Sequence, residues 1–506
     1  MPQNAPQNHL TALLMQGRFD EAIALCQQGV RTAPRDPGAW MSLAGVLTAA
    51  QRPQWSLGAW DRALALAPDQ PVFLAGKAGA LQLLNRAAEA EALYRRALAI
   101  TRTHTESLFG LARLAIDAGD WDEARRLSAQ LSALEPDRPG STWLAARTAI
   151  GRGDFAAAEG HAARLAAKPG LGPDQQAEAL LLRAEALDGL DRTAQAYATA
   201  VEGKAIQHRL YAERAAGREG EIDKLDRLAA WFRAADPAPW RDAPPESPIA
   251  GEAETHVFLM GFPRSGTTLL EQVLAGHPDV RALEEAPTLA DAYAEFLTTP
   301  AGLERLARLA PDEAQVWRAR YWAEVAAHGI EASSRLFLDK APAGTLTLPL
   351  VAKLFPRAKV LFAVRDPRDV VLSCLRHNFQ INAMTYAFTQ ADTAAACYAA
   401  CMAMAEVYRA VLPLSLMEVR HETLVEDFDG ELAKLCGFLD LDVVPAMADV
   451  GATARARTVR TPSADQVRAG LNDRGLGRWR AYAAEMKPLM PALAPWVRRF
   501  GYGASG

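Results

Sequence analysis

A period of 34 residues constrains this chain more than any other feature. Turn-forming Gly17, Gln51, Asn85, Gly119 and Gly153 recur at that spacing. Small residues Ala22, Ser56, Ala90, Ala124 and Ala158 keep step with them. A third register runs through Pro34, Pro68 and Pro136, with Arg102 filling the gap. Within one period, Trp40, Leu43 and Ala44 precede a turn, and Trp60, Ala63 and Pro68 follow it. A generic alanine-rich helical bundle does not account for three registers that stay in phase.

The pattern resembles the tetratricopeptide repeat, whose unit is a helix–turn–helix. The physics agrees with that resemblance. Small residues let two antiparallel helices approach closely, large ones such as Trp40 and Trp121 fill the seam to the next pair, and proline ends the second helix. One unit cannot bury its apolar face alone, so units must stack into an all-α solenoid. After Lys168 the segment PGLGPD shifts the register, and the helical pattern fades near Ala235.

Asp236 to Thr255 carries Pro237, Pro239, Pro244, Pro245 and Pro248. Repeated prolines block helix and central strand alike. The expected organisation is therefore a repeat solenoid over 1–235, a proline-rich linker over 236–255, and a second domain over 256–506. In that second domain strand-like runs appear at His256–Met260, Leu336–Leu338, Val360–Val364 and Leu416–Val419, separated by helical stretches. The alternation predicts an α/β domain with a mainly parallel sheet.

Composition excludes several classes. Half of the 506 residues are hydrophobic and 23% are charged, which is globular composition. Lys plus Arg total 55 against 60 Asp plus Glu, a net charge of −5. That balance argues against a nucleic-acid-coating protein and leaves room for a local anion site. No apolar run approaches the roughly 18 residues of a membrane span. The start, MPQNAPQNHL, lacks the basic and apolar regions of a secretory signal. Cys26, Cys374, Cys397, Cys401 and Cys436 form no CxxC or zinc spacing and read as reduced cytosolic thiols. Cys397 and Cys401, four apart, share a helix face as packed small residues.

The first strand runs into GFPRSGTTLLEQVL. Gly261 and Gly266 have the G-x-x-x-x-G spacing of a phosphate-cradling loop between strand and helix. Backbone N–H groups and the helix N-terminus there favour an anion. Arg264 adds a fixed charge, and Ser265, Thr267 and Thr268 add hydroxyl donors. A nucleotide triphosphatase has Lys where this chain has Thr267.

P-R-S-G-T-T after a strand resembles the 5′-phosphosulfate loop of sulfotransferases, which use 3′-phosphoadenosine 5′-phosphosulfate (PAPS) as sulfuryl donor. The surrounding VFLMGFPRSGTTLLEQVLAGHPDVRALEE is most similar to tyrosylprotein sulfotransferases and to bacterial proteins that join tetratricopeptide repeats to such a domain. The resemblance implies a P-loop-like fold, no metal, and transfer to an acceptor hydroxyl on a protein, glycan, lipid or small molecule. It also implies donor binding by Arg264, Ser265, Gly266, Thr267 and Thr268.

A second motif, Arg365-Asp-Pro-Arg-Asp-Val-Val-Leu-Ser373, begins where a strand ends. By the resemblance Arg365 and Ser373 grip the donor's 3′-phosphate, with Arg376 a third candidate. Without it, the same letters describe a charged loop with Asp capping a helix. The family's base is the second residue of an acidic pair, here Glu285 after Glu284. Lys340 in D-K-A-P matches the family's transition-state lysine. Ser463 opens a stretch to Asn472 that resembles a mobile loop over the nucleotide, Arg478 matches a group on the 3′-phosphate side, and Trp479 reads as packing.

Two departures stand out. Ala286-Pro287-Thr288 follow Glu285 where the protein-tyrosine enzymes carry arginines for acidic peptide, and His421 stands where they place an adenine-contacting tyrosine. Two other function classes compete. One is a P-loop kinase or hydrolase, opposed by Thr267 and by the absence of an obvious Mg²⁺-binding strand carboxylate. The other is a non-catalytic nucleotide-binding scaffold, which loss of Glu285 or Lys340 would have favoured. The repeats are expected to bind a protein or peptide, or to serve as a dimerisation or packing module. The whole reads as a cytoplasmic protein with no nucleic-acid partner and no transmembrane segment.

Overall fold

The computed structural model describes residues 5–50, 52–136, 138–249, 251–457, 467–468, 470–473 and 475–503. The chain divides into two compact units, Met1–Ala167 and Lys168–Gly506.

The first unit is a run of antiparallel helix pairs, from Ala5–Met15 to Phe155–Ala166. All three sequence registers have a structural counterpart. Gly17, Asn85, Gly119 and Gly153 take positive φ at the turns, and Gln51 lies outside the described residues. Ala22, Ser56, Ala90, Ala124 and Ala158 are each fully buried, at 0% exposure. The helices Phe19–Thr32, Pro53–Leu66 and Trp121–Leu134 stop just before Pro34, Pro68 and Pro136. Large rings fill the seams. Trp60 lies against Gly76, and Tyr94, one period later, lies against Gly110. A Cβ at either glycine would sit 2.2 Å from the ring, so each repeat leaves a backbone slot for its predecessor's aromatic.

The second unit holds a five-stranded, wholly parallel sheet in the order β2-β3-β1-β4-β5. The strands are β1 (Thr255–Gly261), β2 (Val280–Glu284), β3 (Leu336–Lys340), β4 (Lys359–Val364) and β5 (Ser415–Arg420). The sequence expected four of them. β2 escapes it because five residues with an exposed Arg281 carry too little apolar signal. β1, β3 and β4 are buried almost end to end, as helix-covered parallel strands must be. The chain leaves β1 towards the β2–β3 side and later crosses to β4, so the topological switch lies between β1 and β4. Ligands bind at the C-terminal strand ends of such a point.

The unit boundary differs from the sequence expectation of a linker at 236–255. Helices Pro173–Gly189, Thr193–Ala215 and Glu221–Ala234 belong to the sheet-bearing unit. The reason is apolar burial. Leu225, Leu228, Phe232 and Trp240 join one hydrophobic core with Phe258, Phe337 and Phe362. The proline-rich stretch is packed too, for Arg318 donates to the Pro245 carbonyl at 3.2 Å and Lys353 donates to the Pro239 and Asp242 carbonyls. Among the described residues no helix is long and apolar enough to cross a membrane. Cys397 and Cys401 are fully buried on one helix, as packed small residues.

Truncation separates the two boundaries. A 168–506 fragment should keep a cooperative thermal transition. A 236–506 fragment should lose it, because Phe232 and its neighbours leave the core and each large apolar deletion costs about 3–5 kcal/mol. Calorimetric melting of both fragments checks this, and equal melting points would contradict it.

Candidate active site

The switch point carries several of the residues that the sequence singled out. β1 ends at Gly261, and the loop Phe262–Gly266 leads into the helix Thr267–Ala275. Arg264 is buried and has φ +72°. Ser265, Thr267 and Thr268 are likewise buried at the helix N-terminus. Gly266 has φ +95°, and a Cβ there would lie 2.5 Å from the His421 ring.

β4 delivers the second motif to the same place. Asp366 caps the helix Pro367–Arg376 by accepting from the Arg368 N–H at 2.9 Å. The capping reading of this motif is therefore realised at Asp366. Arg365, next to it, points elsewhere, donating to the Arg264 carbonyl at 3.3 Å and to the Gly475 carbonyl. Its Nε is buried without a hydrogen-bond partner. Ser373 Oγ accepts from Arg264 Nε at 2.9 Å. The two motifs, 101 to 109 residues apart in sequence, thus meet directly.

Arg264, Gly266, Arg365, His421, Asn472 and Gly475 line a cleft with about 480 Å³ of space, partly open to solvent. Burial, then repulsion from Arg365, pulls the Arg264 guanidinium down to about 10, so it stays charged at neutral pH. Burial, then Arg365 and Arg264, drives His421 down to about 3. Its neutral ring keeps a buried, unpartnered Nδ1. Val467 and Asn472, from the predicted covering stretch, are at this cleft. Ser463 lies outside the described residues.

Lys340 forms the second half of the site. It ends β3 in register with Glu284 on β2 and Leu259 on β1. Its side chain is fully buried and faces three carboxylates: Glu285 at 2.7 Å, Glu284 at 3.1 Å and Glu271 at 3.5 Å. Burial alone lowers an ammonium's pKa, but Glu271, Glu285 and Glu284 outweigh it and hold Lys340 above its usual value. Glu271 is raised by its own burial, with Lys340 opposing. Arg457 also approaches Glu271, at 3.3 Å. Glu285 is the outermost of the three carboxylates, with its side chain 46% exposed against 21% and 1%. Its backbone has φ +51° and its N–H donates to the Lys340 carbonyl at 2.8 Å. Left-handed backbone at a non-glycine residue costs roughly 1–2 kcal/mol. It occurs here at Arg264 and Glu285, one in each half of the site.

A buried relay supports this half. Asp339 Oδ2 accepts from the Tyr321 hydroxyl at 2.7 Å and from Thr288 Oγ1 at 2.8 Å. The Tyr321 oxygen also lies 2.8 Å from His256 Nε2. Thr288 sits three residues beyond Glu285, so the relay ties that loop to the strand carrying Lys340.

Two expected ligands share one carboxylate. Arg376 is ion-paired with Asp188, and Arg478 pairs with Asp188 at 2.8 Å and Asp191 at 3.3 Å. The two arginines thus meet on Asp188, and Arg376 keeps a buried Nε without a hydrogen-bond partner. Trp479 is buried under the Arg368 guanidinium, 3.7 Å from its ring centroid, in keeping with a packing role. Sequence reasoning missed Glu271 and Asp188. An acidic residue inside an apolar helix, or near the end of one, carries no signal of what it will face.

Fold and site together define a parallel α/β domain with an arginine-lined anion loop at its switch point, joined to helical repeats. Comparison with known proteins gives that class a family. Residues 256–445 match the sulfotransferase family, and residues 81–150 match the tetratricopeptide repeat. The chain therefore joins a sulfotransferase-family domain to tetratricopeptide repeats. Protein-tyrosine sulfotransferase 1 of Danio rerio is 28% identical over 269 residues, covering 49% of this chain and 72% of that protein. Protein-tyrosine sulfotransferase A of Caenorhabditis elegans is 26% identical, covering 49% of this chain and 67% of that one. The sulfotransferase domain of the Synechococcus PCC 7002 olefin synthase aligns with a TM-score of 0.30 and 24% identity, over 47% of this chain and 98% of its own.

Two measurements probe these halves. Gly266→Ala should weaken anion binding at least tenfold, since the methyl must displace His421 or the loop (a cost of about 1.4 kcal/mol or more); phosphate-nucleotide titration reads it. Asp339 tests the relay. Burial raises its carboxyl to about 6 from 3.8, with Tyr321 and Thr288 opposing. A folded pKa above the unfolded one gives stability that is full below the unfolded value and lost as pH rises through about 6. The stability difference between wild type and Asp339→Asn should thus fall by roughly 3 kcal/mol at most from pH 4 to pH 7. Urea unfolding across that range checks it, and a rising difference would refute it.

Proposed function

We propose that the second unit transfers a sulfuryl group from PAPS to an acceptor hydroxyl. The observation that carries the proposal is the pairing of Lys340 with Glu285, next to an anion loop on the neighbouring strand. Arg264, Ser265, Gly266, Thr267, Thr268, Arg365 and Ser373 would hold the donor. Three features fit such a ligand: a buried cationic cleft, the unspent Nε of Arg365, and a glycine whose missing Cβ leaves backbone approachable. When bound, the donor supplies the sulfuryl group and a phosphate leaving group.

The chain's own residues handle the proton and the charge. Glu285 takes the acceptor's hydroxyl proton as the acceptor oxygen bonds to sulfur and the sulfur–phosphate oxygen bond breaks. Lys340 offsets the negative charge that grows on the leaving oxygen. Three carboxylates share one ammonium, so Glu285 can turn to an acceptor while Glu271 and Glu284 keep Lys340 in position. Glu285 is also the member of the trio that solvent reaches most freely. A kinase or hydrolase reading is disfavoured by Thr267 in the lysine position and by the sulfotransferase match.

The acceptor differs from the protein tyrosine that the relatives' names state. Thr288 is bonded to Asp339 and no arginine follows Glu285 before it, which does not favour an acidic tyrosine peptide. The repeats would present or select the acceptor through a protein or peptide contact. A cytoplasmic location accords with PAPS being made there.

Calorimetric titration with 3′,5′-phosphoadenosine, ATP and AMP tests the donor reading. Binding that requires the 3′-phosphate is the expected result, and selective binding of ATP would replace the proposal with a kinase. Glu285→Ala should keep that affinity within about threefold and lower turnover by roughly 100-fold or more. Loss of donor binding in this variant would remove Glu285 from the role of base.

A further inference from the structure

The helix Pro173–Gly189 precedes the α/β domain in sequence, yet near its end Asp188 reaches the arginines that flank the donor motifs. Its carboxylate accepts from Arg478 at 2.8 Å and from the Tyr482 hydroxyl, and it is ion-paired with Arg376. Burial pushes this carboxyl up, but Arg376, Tyr482 and Arg478 outweigh it and hold it below the usual range. The group is therefore an anion at any physiological pH.

Arg376 lies one turn beyond Ser373 on the helix Pro367–Arg376, a spacing that puts both on one face. Ser373 is bonded to Arg264, and Arg264 is repelled by both Arg365 and Arg376. Three guanidinium groups thus occupy one partly desolvated neighbourhood. Like charges so arranged repel unless an anion offsets them. Asp188 offsets Arg376, while Glu185 acts on Arg264. Asp188 engages Arg376 at a terminal nitrogen, while Arg376 Nε is buried and has no hydrogen-bond partner.

We infer that Asp188 is a positioning residue of the donor site, fixing Arg376 beside Ser373 so that its unspent donor meets the 3′-phosphate. Asp188 thereby sets the preference for a 3′-phosphorylated nucleotide, although it lies on a helix that the sequence groups with the repeats. The inference rests on the donor reading above and adds a residue to it. The alternative geometry, in which Asp188 occupies the phosphate's own place, predicts the opposite sign.

The test is calorimetric titration of the full chain with 3′,5′-phosphoadenosine and with AMP. Asp188→Asn should lower affinity for the bisphosphate by about tenfold, the loss of roughly one charge-assisted hydrogen bond, and leave AMP nearly unchanged. Asp188→Glu should restore most of the ratio. Asp191→Asn should leave it intact, since that side chain is 84% exposed. A parallel fall for both nucleotides would mean a merely structural Asp188 and overturn the inference. So would an unchanged ratio, or tighter binding of the bisphosphate. Should Asp188→Asn not fold, Arg376→Gln carries the test, and an unaltered ratio there overturns it equally. A wild-type protein with no preference for the bisphosphate would instead bring down the donor reading itself, and this inference with it.

Discussion

One ammonium among three carboxylates organises the β2–β3 side of the domain. Lys340 has no solvent exposure, so its charge must be met inside the protein. The register of β2, β3 and β1 brings Glu284 level with it, and the turn after β2 brings Glu285. The helix after the anion loop contributes Glu271 from the other side. The same helix N-terminus faces the anion loop, so the helix links the two halves mechanically. Removing the lysine would leave carboxylates crowded in a low-dielectric site, a strongly destabilising arrangement.

Much of this was legible in the residues, for identifiable reasons. The repeat registers survive because each position has one steric job: a positive-φ turn, a buried small residue, or a proline stop. The strand–loop–helix around Gly261 and Gly266 was legible because glycine spacing and helix start are both local. Arg365 and Ser373 both bond to Arg264, because eight residues across a strand-to-helix turn admit few geometries. β2 was missed because a short edge strand that is only half-buried lacks a continuous apolar run.

The other failures share a cause. An amphipathic helix reads the same whichever surface it packs against, so Pro173–Gly189 to Glu221–Ala234 looked like further repeat. Nothing local distinguishes Phe232 in a repeat seam from Phe232 in the core beside Trp240 and Tyr408. Arg376 and Arg478 were read from their place in a motif, which gives no sign of the carboxylate they share. Their partner Asp188 is 188 and 290 residues distant from them, and such pairings are not visible in spacing. The prolines of 236–255 forbid regular structure but do not forbid packing, which is why a predicted linker turns out to be a strap against the core.

The strand order has a further consequence. Arg264 follows β1 and Arg365 follows β4, whereas Lys340 ends β3 and Glu285 follows β2. Substitutions along the outer β2 edge can therefore reach the carboxylates around Lys340 without touching the strands that lead to Arg264 and Arg365. On the donor reading proposed above, the two reactants would rest on different strands of one sheet, the donor on its inner pair and the acceptor towards its β2 margin.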